Sequence, residues 1–170
     1  MMIDIYTPLS AGQSVHILPE EKRKDVRRIE QYIRQHGITM AFISPQMLRN
    51  FRSPGPSLRL VVTGSERVSR VKGSGYRLLN TYGCSETAAV VTAFEIEREY
   101  ENTPIGKAGE GVRILLLDKE GNEVPAGEEG ELCVEGHIAG GYINLPEQTN
   151  KAFVRREDGT MLFHTNDICR

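Results

Sequence analysis

At 170 residues the chain is long enough for one domain or one and a half, with a real core. Its apolar and charged fractions, 39% and 26%, are ordinary for a globular protein. A net charge of −2 gives no electrostatic case for nucleic acid or an anionic membrane as partner. No apolar run approaches the ~20 residues that span a bilayer, and the first residues do not read as a signal peptide. Cys84, Cys133 and Cys169 are odd in number, far apart and form no CxxC pair, which predicts free thiols and a cytoplasmic location. His16, His36, His137 and His164 are equally scattered, so sequence spacing predicts no metal cluster.

In chain order, Val26, Ile29 and Ile33 fall on one stripe of a helix predicted over 22–35, with Gly37 as its C-cap. The mixed charges of 20–28 read as the solvated side of that helix. A buried strand is expected over 38–43, then a short helix opening near Pro45. Residues 58–63 form a second apolar run of strand length, followed by a short helix over 66–71 and a third strand over 76–82. This alternation is the grammar of an α/β fold, a partial parallel sheet covered by helices. Near Thr103 the character changes, and Pro and Gly become frequent between short apolar runs. Strands are expected over 112–117 and 131–134, with a turn at 118–122 and a short helix over 146–153. The reading is an α/β part over 1–100 followed by a small β-rich, barrel-like subdomain over 101–170.

The chemistry concentrates in Asn80-Thr81-Tyr82-Gly83-Cys84-Ser85-Glu86-Thr87, which follows a predicted strand, where α/β sheets present their ligands. Gly83 lets the backbone approach a ligand, and Ser85 offers a hydroxyl to a phosphate oxygen. Glu86 is a hard oxygen ligand suited to Mg²⁺, and Tyr82 supplies a ring face for a base. Cys84 has no recognisable base nearby and is not expected to act as a nucleophile. Residues 118–123 lack the spacing of a calcium loop and read as a hairpin turn. Glu128, Glu129 and Glu131 lie in a Gly-rich turn entering a strand and read as surface charges.

Further on stand Gly130-Glu131-Leu132-Cys133-Val134-Glu135-Gly136, then Gly140-Gly141-Tyr142-Ile143-Asn144-Leu145-Pro146-Glu147-Gln148-Thr149, with Phe153 beyond, and finally Phe163-His164-Thr165-Asn166-Asp167. Together with the 80–87 segment they resemble the adenylate-forming superfamily, most closely the adenylation domains of nonribosomal peptide synthetases. The consensus segments of that family are NxYGPTE, GELxIxGxxVAxGYxxxPExTxxxF and Y(R/K)TGD, in that order. Asp4-Ile5-Tyr6-Thr7-Pro8-Leu9-Ser10-Ala11-Gly12 is similar to its EIFxPLxxGA segment.

The resemblance implies ATP or AMP and Mg²⁺ as ligands, an amino or aryl acid as substrate, and a carrier protein bearing phosphopantetheine as partner. It assigns Asn80, Tyr82, Gly83, Ser85 and Asp167 to the nucleotide, with Tyr82 on adenine, Ser85 at the α-phosphate and Asp167 on the ribose. Glu86 would hold Mg²⁺. Phe42, Val61, Thr63, Thr81, Ala89 and Val90 match the positions that line the acid pocket. Gly64-Ser65-Glu66 resembles the turn beside adenine, and Ser65 itself reads as a plain strand-to-helix turn. Cys84 stands where the family has Pro, Ser85 where it has Thr, and Asn166 where it has Gly. Asn tolerates positive φ better than most residues, so the turn before Asp167 is expected to persist.

The family's phosphate loop, the aspartate that pairs with the substrate amine, and the catalytic lysine match nothing in these residues. The expectation is therefore a middle portion of an adenylating enzyme, with no catalytic residue assigned and no activity alone. Alternatives are another adenylate-forming ligase (an acyl-CoA synthetase or a D-alanine carrier-protein ligase) and a non-catalytic remnant that binds nucleotide.

Overall fold

The structure, a computed structural model, describes residues 2–88 and 90–170. α1 (Met2–Ser10), which sequence periodicity does not announce, is closed by Ala11 N–H donating to the Thr7 carbonyl. In α2 (Val26–His36), Asp25 caps the N-terminus by accepting from the amides of Arg27 and Arg28 at 2.9 and 3.3 Å. Gly37 ends it at φ 62°, where a side chain would be strained. The helix thus begins four residues later than the predicted 22, because Asp25 caps it, and Glu20–Lys22 forms a separate 3₁₀ turn.

The first sheet runs in the order β1 (Met40–Phe42), β2 (Leu60–Gly64), β3 (Arg77–Tyr82), β4 (Thr92–Glu95), β5 (Lys107–Ala108). β1–β2 and β2–β3 are parallel, as the strand–helix–strand pattern implies, whereas β4 returns antiparallel to β3. α3 (Pro45–Leu48) follows β1 with proline in its first turn, where the missing N–H costs nothing. Ile29 and Ile33 of α2 join Ile43, Leu48, Phe51, Leu58, Val61 and Leu78 in one core.

Two expectations fail here. β1 is not buried: Met40 and Phe42 are 44% and 48% exposed, because β1 is the edge strand. The helix expected over 66–71 does not form. Ser65 and Arg70 take φ 69° and 54°, and the segment's backbone bonds run elsewhere: Arg70 N–H donates to Tyr100 O and Val68 O accepts from Thr103 N–H. Val68 and Val71 are still buried, so the apolar spacing reports core contact rather than helix.

The second sheet is antiparallel throughout, with strand order β6-β7-β9-β8: β6 (Arg113–Leu117), β7 (Gly130–Glu135), β9 (Met161–Cys169) and β8 (Phe153–Arg155). α4 (Pro146–Ala152) precedes β8. The turn after β6 is the predicted one, its Asp118 carboxylate accepting from the amides of Glu120 and Asn122. By their contacts the residues group into two compact units: Met1–Tyr82 with Thr92–Lys107, and Gly83–Val91 with Ala108–Arg170. No helix among the described residues is long and apolar enough to cross a membrane.

Candidate functional site

Tyr82 is the last residue of β3, and Gly83 and Cys84 lead into a 3₁₀ turn, Ser85–Thr87. Thr87 locks this turn. Its buried hydroxyl accepts from Cys84 N–H and donates to Cys84 O, both at 3.1 Å. The hydroxyl of Thr87, three residues after Cys84, thus supplies the local constraint that holds the turn. Ala88 closes the turn at φ 58°. Ser85 is exposed on it, and Ala89, one of the predicted pocket residues, lies outside the described residues.

Glu86 is held at both ends of its residue. Its carbonyl accepts from Ala139 N–H at 2.7 Å, and its carboxylate accepts from the Tyr142 hydroxyl at 2.8 Å. The Tyr142 hydrogen bond, the largest effect, holds the Glu86 carboxyl below the usual glutamate range. The same bond raises the Tyr142 phenol, so at neutral pH the pair is carboxylate and phenol. Tyr142 is itself fixed from α4: its N–H donates to the Thr149 hydroxyl at 2.9 Å, and its ring meets Phe153 edge-on at 5.5 Å. Gly141 is required beside it, since at φ 130° a Cβ would lie 2.4 Å from the Thr149 methyl. The GGYxxxPExT run therefore builds a support for Glu86. Residue type alone does not reveal this role of Tyr142; its place in the matched Gly140–Thr149 run is the signal for it.

Asp167 sits in β9 on a bulge. Glu131 pairs with Ile168 and Cys133 with His164, so Thr165, Asn166 and Asp167 stand opposite Leu132 alone. The Thr165 hydroxyl donates to Leu132 O at 2.7 Å and accepts from Asp167 N–H at 3.1 Å. Asn166 takes φ 62°, the left-handed conformation expected of it, and its N–H donates to Glu131 Oε1 at 2.9 Å. Asp167 is exposed on this bulge. Beside it a concavity of about 410 Å³ is lined by Tyr142, Leu145, Gln148, Lys151, Ala152 and Asn166.

In the first sheet, Asn80 is buried, with its amide donating to Pro104 O at 2.9 Å. Thr81 donates its hydroxyl to Thr63 O at 3.0 Å. The strand register does not put the pocket residues on one surface. Phe42 pairs with Val62 and Val62 with Leu79, so Phe42 and Thr81 share one face. Val61 and Thr63 lie on the opposite face with Leu78 and Asn80, and both are fully buried. Val90 is 39% exposed.

With this geometry in view, comparison with known proteins is decisive. Residues 1–143 match the model of the AMP-binding enzyme family, and the chain belongs to that family. It is 33% identical to bacitracin synthase 1 of Bacillus licheniformis over 98% of its length, and to surfactin synthase subunit 2 of Bacillus subtilis (strain 168) over 98%. It is 30% identical to the D-alanine–D-alanyl carrier protein ligase of Lactiplantibacillus plantarum over 98%. The chain spans 3%, 5% and 36% of those three proteins respectively. The crystal structure of the nonribosomal peptide synthetase FmoA3 superposes on 99% of the chain with a TM-score of 0.88 at 24% identity, which identifies the fold.

Proposed function

We propose that the chain forms part of an enzyme that activates an amino or aryl acid with ATP, releasing pyrophosphate, and passes the acyl group to a phosphopantetheine thiol on a carrier protein. The observation that carries this reading is the Tyr142–Glu86 hydrogen bond, which joins two family segments far apart in sequence around one ionised carboxylate. Membership of the AMP-binding family and the relatedness to peptide synthetases support it. In this reading Tyr82 stacks on adenine, Ser85 faces the α-phosphate, Asp167 takes the ribose hydroxyls, and Asn80 and Gly83 belong to the nucleotide site. Stacking of a base on an aromatic ring contributes about 1–3 kcal/mol in comparable sites.

The donor set suits Mg²⁺. Glu86 presents an ionised hard-oxygen ligand whose orientation is set by Tyr142 rather than by the ion. Glu86 would hold the cation, which supplies charge neutralisation at the phosphates. The chain's own contribution is to keep that carboxylate charged and fixed.

Of the matched positions, Val61 and Thr63 share one face of the sheet and are proposed to line the acid pocket, whereas Phe42 and Thr81 lie on the opposite face. The side chains of Val61 and Thr63 carry no charge, and burying an unpaired charge against them would cost several kcal/mol. Pyrophosphate exchange, screened over amino acids in a longer polypeptide containing these residues, is expected to favour uncharged side chains of modest size. A clear preference for Lys, Arg, Asp or Glu contradicts the pocket. Offering carrier protein and CoA as alternative acceptors in the same assay is expected to show transfer to the carrier, and transfer to CoA alone would favour an acyl-CoA synthetase.

A further inference from the structure

Glu131 and Cys133, two residues apart, meet the distant His164 on the second sheet, where the scatter of the histidines predicts no metal cluster. Cys133 of β7 and His164 of β9 are direct cross-strand partners, and Glu131 lies two residues before Cys133, on the same face. His164 Nδ1 stands 2.9 Å from Glu131 Oε2 and 3.5 Å from Cys133 Sγ, and the three ligand atoms all lie within 4.8 Å of one another. We propose that Glu131, Cys133 and His164 form a site for a borderline transition-metal ion, Zn²⁺ foremost.

The spacing suits that ion. With zinc–sulfur bonds of about 2.3 Å and zinc–nitrogen bonds of about 2.0–2.1 Å, tetrahedral ligation places sulfur and nitrogen roughly 3.6 Å apart. The mixed sulfur, imidazole and carboxylate set selects zinc or cobalt over magnesium, which separates this site from Glu86. Glu131 is already oriented: its Oε1 accepts from Asn166 N–H, leaving Oε2 beside the imidazole. Cys133 is fully buried, while the side chains of Glu131 and His164 are each 26% exposed, so water can reach a fourth position. Binding breaks the S–H bond of Cys133, forms a metal–sulfur bond and releases the proton to buffer. His164 binds through its neutral Nδ1 lone pair and Glu131 as carboxylate.

The test is titration of the reduced 170-residue chain with Co²⁺, followed by displacement with Zn²⁺. Expected are thiolate-to-cobalt charge-transfer absorption and visible bands of four-coordinate cobalt, both removed by one equivalent of Zn²⁺. Cys133→Ala should abolish the charge-transfer band. His164→Arg can still donate a hydrogen bond to the Glu131 carboxylate but offers no lone pair to a metal; it should weaken Zn²⁺ binding about a hundredfold or more. Cys84→Ser and Cys169→Ser should leave the spectrum unchanged. Absence of the band in the folded wild-type chain overturns the site, as does unchanged Zn²⁺ affinity in folded His164→Arg. Nucleotide binding at Glu86 is untouched by either outcome.

Discussion

Glu86→Gln, made in a longer polypeptide that flanks these residues with the family's phosphate loop and C-terminal domain, is expected to lower pyrophosphate exchange at least a hundredfold. The substitution preserves volume, and a glutamine carbonyl can still accept from the Tyr142 hydroxyl, so the support built by Gly141, Thr149 and Phe153 remains. Only the charge is lost. Removing one preorganised charge-stabilising group costs about 2.7–4 kcal/mol in comparable sites. Tyr142→Phe provides the complementary result. Tyr142 is the main reason the Glu86 carboxyl titrates below its ordinary range, so its loss lets that carboxyl titrate higher. A carboxylate with a depressed folded-state pKa retains its charge, and the stability tied to it, above its unfolded value, and loses both as pH falls through the folded one. The acid limb of the exchange profile should therefore move to higher pH in Tyr142→Phe. Full activity of Glu86→Gln, or an unmoved acid limb in folded Tyr142→Phe, contradicts the assignment.

The 170 residues by themselves are expected to catalyse exchange at least a hundredfold more slowly than that longer polypeptide, with every common amino acid. Adenylation requires several groups to converge on one phosphorus while water is excluded. The residues proposed here supply the adenosine and Mg²⁺ side, and the family's phosphate loop and lysine supply the rest. Groups acting as a unit are not additive, so no total follows, but even one such loss costs roughly a hundredfold. Comparable exchange by the 170 residues alone would refute this division of the site. Silence from both polypeptides, with both folded, would favour the non-catalytic nucleotide-binding alternative.

Local chemistry and the parallel pairing of β1, β2 and β3 were legible in the sequence, whereas side-chain contacts between distant segments were not. Gly37 as a C-cap, Pro45 and Pro146 as helix openers and Asp118 in its turn each act within a few residues, and each does what its type demands. Asn166 adopts the left-handed conformation that its short polar side chain tolerates. The expected helix over 66–71 fails because its backbone bonds to residues near Tyr100, a partner no local window contains. β9 went unread because its polar bulge at Thr165–Asp167 breaks the alternation that marks a strand. In the candidate site, Glu86 and Asp167 stood out through matched segments, whereas the Tyr142 support spans 56 residues and exists only in the fold. The Glu131–Cys133–His164 group is invisible in sequence for the same reason, since strand pairing brings it together.

If this chain carries the adenosine and Mg²⁺ side of an adenylation site, it binds nucleotide by itself. Titrating AMP, and separately ATP with Mg²⁺, into the isotopically labelled 170-residue chain tests it most directly by NMR. Saturable shifts are expected at millimolar nucleotide, centred on the amides of Tyr82, Glu86 and Asp167. A well-dispersed spectrum of folded protein that does not change at millimolar nucleotide would contradict this expectation.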